Sequence, residues 1–272
     1  MRAPHRQHAG FTLVEMIMVI VITGIIGGMV AMFLRAPIQQ YMDVSRRAEL
    51  TDIADTALYR MASDISTAVP NSVRVAGCGA TPCVEFLPTR DAGRYRAGAP
   101  GNTLVFDGVD TTFDMMGTAN VAAGDQIVIG STSSTGAMAY AGGLRTVNAV
   151  AGATITLNAG LPIVAELSTR RFDVVDGAQN AVTYACTGTL GTLDANQNGQ
   201  ARLVRYANYG INAIQSLPAT PTPPVLADRV SGCVIDYAAV NQRMGLLAIR
   251  LTLTSGGESV SLYHEIHVNN VP

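Results

Sequence analysis

The sequence predicts an α+β protein in which one long N-terminal helix packs on an antiparallel, strand-rich C-terminal domain. Three observations carry that reading. Phe11 to Leu34 is a 24-residue apolar run whose single charge is Glu15; as a helix rising about 1.5 Å per residue it reaches roughly 36 Å, enough to cross a bilayer. The stretch that follows, to residue 70, keeps a helical period. From Val73 onward, short β-branched segments alternate with Gly, Asn, Asp, Ser and Thr clusters, the pattern of strands and turns.

The apolar run is too long for a secretory signal core, and no Ala-x-Ala cleavage site follows it. A signal anchor fits its length. Arg2 and Arg6 precede the run with no acid before Glu15, which places the N-terminus in the cytoplasm. An anchor alone leaves Glu15 unexplained, because a carboxylate near mid-bilayer costs about 2.5–3.5 kcal/mol on insertion scales and so calls for a partner. Cleavage after Gly10 would supply one: the new α-amine of Phe11 lies at the same depth as Glu15, and the amine of one copy could meet the carboxylate of its neighbour.

The short basic leader, Gly10, and then Phe11-Thr12-Leu13-Val14-Glu15 resemble the class III signal of type IV pilins and type II secretion pseudopilins. That resemblance implies cleavage after Gly10 by a prepilin peptidase, N-methylation of Phe11, and docking into a growing filament through Glu15. It also implies a single-pass inner-membrane precursor with a periplasmic C-terminal domain, whose partners are other pilins or pseudopilins met through the N-terminal helix. The expected organisation is a leader over 1–10, a transmembrane helix over 11–34, its amphipathic continuation over 35–70 and a β-rich domain over 71–272.

In the continuation, Leu50, Ile53, Ala57, Met61, Ile65 and Ala68 recur at spacings of three or four, while Arg46, Arg47, Asp52, Asp55, Arg60 and Asp64 fall elsewhere. Pro70-Asn71 supplies a stop. Gly24, Gly27, Gly28 and Pro37 predict a bend or local loosening. Downstream, NTLVFDG, DQIVIGS, ATITLNAG, AVTYAC and ARLVRYANYG read as strands. Leu247 to Thr254 and Ser259 to Val268 alternate apolar and polar residues around Ser-Gly-Gly and read as a hairpin. No 20–50-residue repeat is present. The proline-rich Ser216 to Arg229 reads as an exposed loop between strands of one sheet system.

Four cysteines in a translocated domain point to two disulfides. Three pairings are possible. The favoured one joins Cys78 to Cys83 and Cys186 to Cys233, worth roughly 2 and 4 kcal/mol on the chain-entropy model; the spacings do not form the two close pairs of a zinc site. Chemistry is sparse otherwise. His264 and His267 face opposite sides of a strand and cannot share a metal, and no nucleophile elbow, phosphate loop or dinucleotide fingerprint lies outside the span. Asp194, Asn196 and Asn198 before Gly199 match the first half of a calcium loop, but the twelfth position is Arg205 rather than glutamate, so a polar turn is the favoured reading over calcium. No other cofactor is expected. With 18 basic and 20 acidic residues and no Trp, the footprint of nucleic-acid binding is missing; Arg90, Arg94 and Arg96 read as a solvated strand face.

Further along, PNSVRV, CVEFLP, VTYAC, LVRYANYG, GCVIDY and GLLAIRLTL are similar in order to the MshO-type proteins of MSHA pilus biogenesis, and J-type minor pseudopilins of type II secretion share the plan. The DANQNGQ and proline-rich stretches depart from that pattern. A chain of 272 residues less a ten-residue leader is large for a major pilin, so the resemblance implies a non-catalytic minor subunit that initiates or builds a filament. The alternatives are a secretion pseudopilin or an adhesive module displayed on a filament. Mass spectrometry of the membrane-derived protein should find a terminal peptide beginning with methylated Phe11 that disappears without the peptidase; an uncut Met1 chain would overturn this reading.

Overall fold

The computed structural model describes residues 12–132, 138–161, 169–219, 222–238, 244–268 and 270. The chain divides into two compact units, Met1–Ala48 and Glu49–Pro272. Helix α1, Leu13–Ser66, contributes to both.

In the first unit α1 is exposed on every side from Leu13 to Leu34, and this is the one helix among the described residues long and apolar enough to span a membrane. The helix runs unbroken through Gly24, Gly27, Gly28 and Pro37.

In the second unit α1 buries Leu50, Ala54, Ala57, Leu58, Met61 and Ile65. The expected stripe is thus present with Ala54 and Leu58 at its centre and Ile53 only half-buried. The helix ends at Ser66, short of the Pro70 stop. Its last turn tightens, with Thr67 N and Ala68 N donating to the carbonyls of Asp64 and Ile65 three residues back. The Ser66 and Thr67 hydroxyls also donate to Ser63 O and Asp64 O, competing with continued helix.

The stripe covers one face of a six-stranded antiparallel sheet. Its strands are β1 (Cys83–Phe86), β8 (Val182–Thr187), β9 (Ala201–Tyr206), β10 (Val225–Asp236), β11 (Leu246–Ser255) and β12 (Glu258–His267), in that spatial order. Phe86, Tyr184, Leu203, Leu251 and Ile266 join the α1 residues in one buried core. The β11–β12 hairpin turns at Gly256-Gly257, both at positive φ, which suits glycine. Cys186–Cys233 ties β8 to β10, the strands on either side of β9, and Cys78–Cys83 closes a short loop before β1.

The second half of the fold is a closed antiparallel barrel, which the sequence reading did not separate from the sheet. It contains β2 (Thr89–Tyr95), β3 (Thr112–Met116), β4 (Gln126–Ile129), β5 (Leu144–Ala151), β6 (Thr154–Leu157) and β7 (Arg171–Val175), in the order β2-β3-β6-β5-β4-β7. Tyr95, Phe113, Ile127, Ile155, Phe172 and Val174 fill it. The barrel is inserted between β1 and β8, which pair with one another as if joined by an ordinary hairpin.

Two strand expectations need correction. NTLVFDG is not a strand. Asp107 Oδ1 accepts from Val109 N and Asp110 N, and Asp110 Oδ2 accepts from Val105 N, so local carboxylates take the donors a ladder would use. The proline-rich loop also ends earlier than expected, because Val225 to Arg229 already belongs to β10. Register shifts between β10 and β9, with Arg229 at φ 54°, allow the strand to start beside the prolines.

Met61 is fully buried between α1 and the sheet. Met61→Ala should lower unfolding free energy by about 2–5 kcal/mol through transfer and cavity terms, whereas exposed Tyr59→Ala should cost far less; urea melts of the two variants test this.

Candidate functional site

The N-terminal segment is built from the cap inward. The Thr12 carbonyl accepts from Glu15 N at 3.1 Å and Met16 N at 3.2 Å, and Thr12 Oγ1 accepts from Glu15 N at 3.3 Å. Thr12 is therefore the N-cap and Glu15 occupies the third helical position, the spacing of a capping box. The carboxylate lies in the first turn, where it complements the helix dipole. Its side chain is exposed, as are its apolar neighbours. Farther along, the Thr23 hydroxyl donates to Val19 O at 2.6 Å, so this polar group is satisfied inside the helix. A Cβ added at Gly24, Gly27 or Gly28 would meet nothing in the chain within 4 Å. Among the described residues their smallness thus serves no contact, and it leaves a shallow surface open to another helix. Gly10 and Phe11 lie outside the described residues.

Residues 5–31 match the prokaryotic N-terminal methylation motif. The motif is the type IV pilin and pseudopilin signal, and it points to a structural subunit family, to processing by prepilin peptidase and to assembly with other pilins. Comparison of the whole chain with curated proteins and with solved structures returned no match. The motif covers the cap, Glu15 and the three glycines, so the geometry above belongs to the matched segment.

Outside the motif, the polar turn at 194–199 engages the side-chain oxygens of Asp194 and Asn198 in hydrogen bonds. Asp194 Oδ1 accepts from Asn196 N and Asn198 N, both at 2.8 Å, and these backbone donors hold its carboxyl below the usual range. Asn198 Oδ1 accepts from Gly256 N, which docks this turn on the β11–β12 turn. Arg205 is directed elsewhere: its Nε donates to Asp64 Oδ2 at 2.9 Å. Among the described residues no three His, Cys, Asp or Glu side chains gather as a metal cluster. His264 sits half-buried with its ring edge-on to Tyr59 at 5.7 Å, while His267 is exposed on the other face.

The expected solvated arginine face is present in part: Arg90 and Arg94 are exposed residues of β2, whereas Arg96 follows the strand and is half-buried. Arg90 is also paired with Asp125 and, at 3.5 Å, with Asp176, and Arg96 lies 3.7 Å from Asp114. Arg90 reaches a cleft of about 330 Å³ where helix end, sheet and barrel meet. The cleft's charges are engaged with each other, since Arg60 and Arg205 both bind Asp64 and Arg90 binds Asp176.

Sequence reasoning missed a buried ionic junction. Arg74 grips Glu85 through Nη2–Oε1 at 3.0 Å and Nε–Oε2 at 3.2 Å, donates to the carbonyls of Asn212 and Ala213, and stacks 3.5 Å over the Tyr140 ring. Tyr140 in turn donates to Ser72 O at 3.0 Å. One guanidinium therefore joins β1, the barrel and the 212–215 segment. Gly77 allows that segment to close, because a side chain there would collide with Gln215. Burial raises the Glu85 carboxyl above its ordinary 4.5, partly offset by Arg74. Only the Arg–Glu alternation across a Cys loop hinted at this in the sequence.

Arg74→Ala should cost about 3–5 kcal/mol by leaving Glu85 buried without its cation, and adding Glu85→Gln should recover part of that loss. Because folded Glu85 keeps its proton to higher pH than the unfolded chain, the folded state loses stability at this group as pH rises from 4.5 through the raised value. Glu85→Gln should therefore gain on the wild type over that window in parallel thermal melts; a constant difference would refute the assignment.

Proposed function

We propose that this chain is a minor pilin-like subunit that helps to initiate or build a type IV filament, most like the MSHA pilus, and that it acts by binding rather than by catalysis. The observation that carries the reading is the position of Glu15: one turn inside a capped, fully exposed apolar helix, within the matched methylation motif. In this scheme a peptidase cuts after Gly10, and the Phe11 amine of one subunit neutralises Glu15 of the next. Charge pairing removes the cost of a lone carboxylate in lipid, and the open glycine surface lets neighbouring helices approach. The inner membrane holds the precursor, with the N-terminus cytoplasmic and the Glu49–Pro272 unit periplasmic.

The cap geometry supplies a discriminating test. Glutamine serves as well as glutamate at the third position of a capping box, yet it cannot neutralise an amine. Glu15→Gln and Glu15→Ala should both deplete the subunit from sheared filaments by about tenfold or more, in line with loss of a charge pair in a low-dielectric setting, with cleavage and domain folding intact. Normal recovery of Glu15→Gln would show that the residue acts as a helix cap and would overturn the pairing.

A further inference from the structure

Among the described residues the fold closes every sheet edge but one. A closed barrel has no edge. On the six-stranded sheet, β1 is covered by the segment before it: Arg74 and Glu85 exchange both backbone bonds at 2.9 Å, and Val69 N donates to Leu87 O at 2.8 Å. β12, at the opposite edge, has no such cover from described residues. It is ten residues long and pairs with β11 without a register shift. It is free of proline, bulge and lysine, and its acids, Glu258 and Glu265, stand near its two ends, so the stretch from Ser259 to His264 has none of the usual edge defences. All 18 basic residues of the chain are arginine.

The backbone parity of this edge follows from one bond. Val268 N donates to Gly245 O, continuing the β11–β12 register, so even-numbered residues turn their backbone groups toward β11. Ser259, Ser261, Tyr263, Glu265 and His267 turn theirs outward, and their side chains lie on the exposed face. The even-numbered row faces the core but is incompletely covered: Val260 and Leu262 are only half-buried, and His264 rests on Tyr59, which is itself 61% exposed. Asp55 and Asp52, one and two turns before Tyr59 on the same helix face, make the helix side of this edge acidic, whereas on the other face Glu265 is accompanied by Arg250, 5.8 Å from the Tyr263 ring.

We propose that β12 is an interaction edge completed by an extended segment of a different protein chain, with apolar side chains at alternate positions and basic residues flanking them. The ladder supplies affinity through the outward backbone groups, the alternate apolar side chains cover Val260 and Leu262, and the basic flanks answer Asp52 and Asp55. A second copy fits less well. Antiparallel pairing of two β12 edges would reverse one sheet and the helix packed on it, so the Glu49 ends of the two copies would leave in opposite directions, which two subunits anchored in one membrane cannot do. This inference takes from the filament reading only the shared membrane anchor, and it stands or falls separately from Glu15.

The test is amide hydrogen exchange on the full-length chain in detergent micelles, with the capped peptide Arg-Val-Thr-Val-Ser-Val-Thr-Val-Arg as probe. A peptide of the same composition with its valines consecutive is the control. Without peptide, the amides of Ser259, Ser261, Tyr263, Glu265 and His267 should exchange faster than those of Val260, Leu262, His264 and Ile266. The alternating peptide should slow the odd-numbered set by about tenfold or more, and the control should not. Ser261→Pro should abolish the slowing while Ser261→Ala retains it. Odd-numbered amides already protected in the free chain would overturn the proposal, because the edge would then be occupied by this chain or its copy. Unchanged exchange, or equal protection by the two peptides, would overturn it as well, and neither result requires the proline variant to fold.

Discussion

The contact between the second half of α1 and the sheet is the constraint on which the C-terminal unit depends. A six-stranded sheet with one apolar face must be covered, and Leu50, Ala54, Ala57, Leu58, Met61 and Ile65 provide the cover. Polar contacts fix where the helix lies. Arg229 reaches Glu49 at the start of this stretch, and Tyr184 and Arg205 reach Asp64 near its end. The apolar stripe supplies the area, and these two sets of bonds set rotation and axial position. Upstream, the same helix shows no buried face from Leu13 to Leu34. A single element is thus written for two solvents, with one side apolar where it meets a protein core and all sides apolar where it would meet lipid.

The barrel depends on the sheet through a small junction. Val69, Leu87, Val128, Tyr140, Val175 and Ala181 form an apolar cluster of their own between the two larger cores. The Arg74–Glu85 pair lies against it through Tyr140. A buried ion pair adds little net stability compared with an apolar substitute, but it is strict about geometry. That strictness suits a junction, because the guanidinium is satisfied only when β1, the carbonyls of Asn212 and Ala213 and the barrel's tyrosine converge.

Much of this was legible in the sequence where a local pattern matched a single environment. The apolar run, the three-and-four spacing from Leu50 to Ile65 and the β11–β12 alternation each describe an element whose neighbour is uniform, and each emerged with nearly the expected residues. The Thr12-Leu-Val-Glu15 cap has the spacing of a capping box in the sequence as well, but a threonine and a glutamate inside an apolar run are ambiguous between a helix cap and a lipid-exposed charge. The barrel was not legible. Its strands are short, β2 carries Arg90, Asp91 and Arg94 in place of clean alternation, and closure depends on pairing between residues distant in sequence, such as Thr89 with Val175. The ion pairs of the exposed Arg90 are a related case, since Asp125 and Asp176 lie far downstream of it and only the fold brings them together.

The site of the barrel's insertion also bears on how the chain reaches its native state. β1 and β8 are adjacent strands, yet everything from Leu87 to Ala181 intervenes between them. In an unstructured chain, closing a loop of that length loses considerable entropy before a single β1–β8 bond forms. Once the barrel has closed, Thr89 and Val175 are already partners, and the effective loop shrinks to the few residues on either side. The insertion therefore works as a clasp, and the natural order of events is for the barrel to condense first and deliver the two strands to each other.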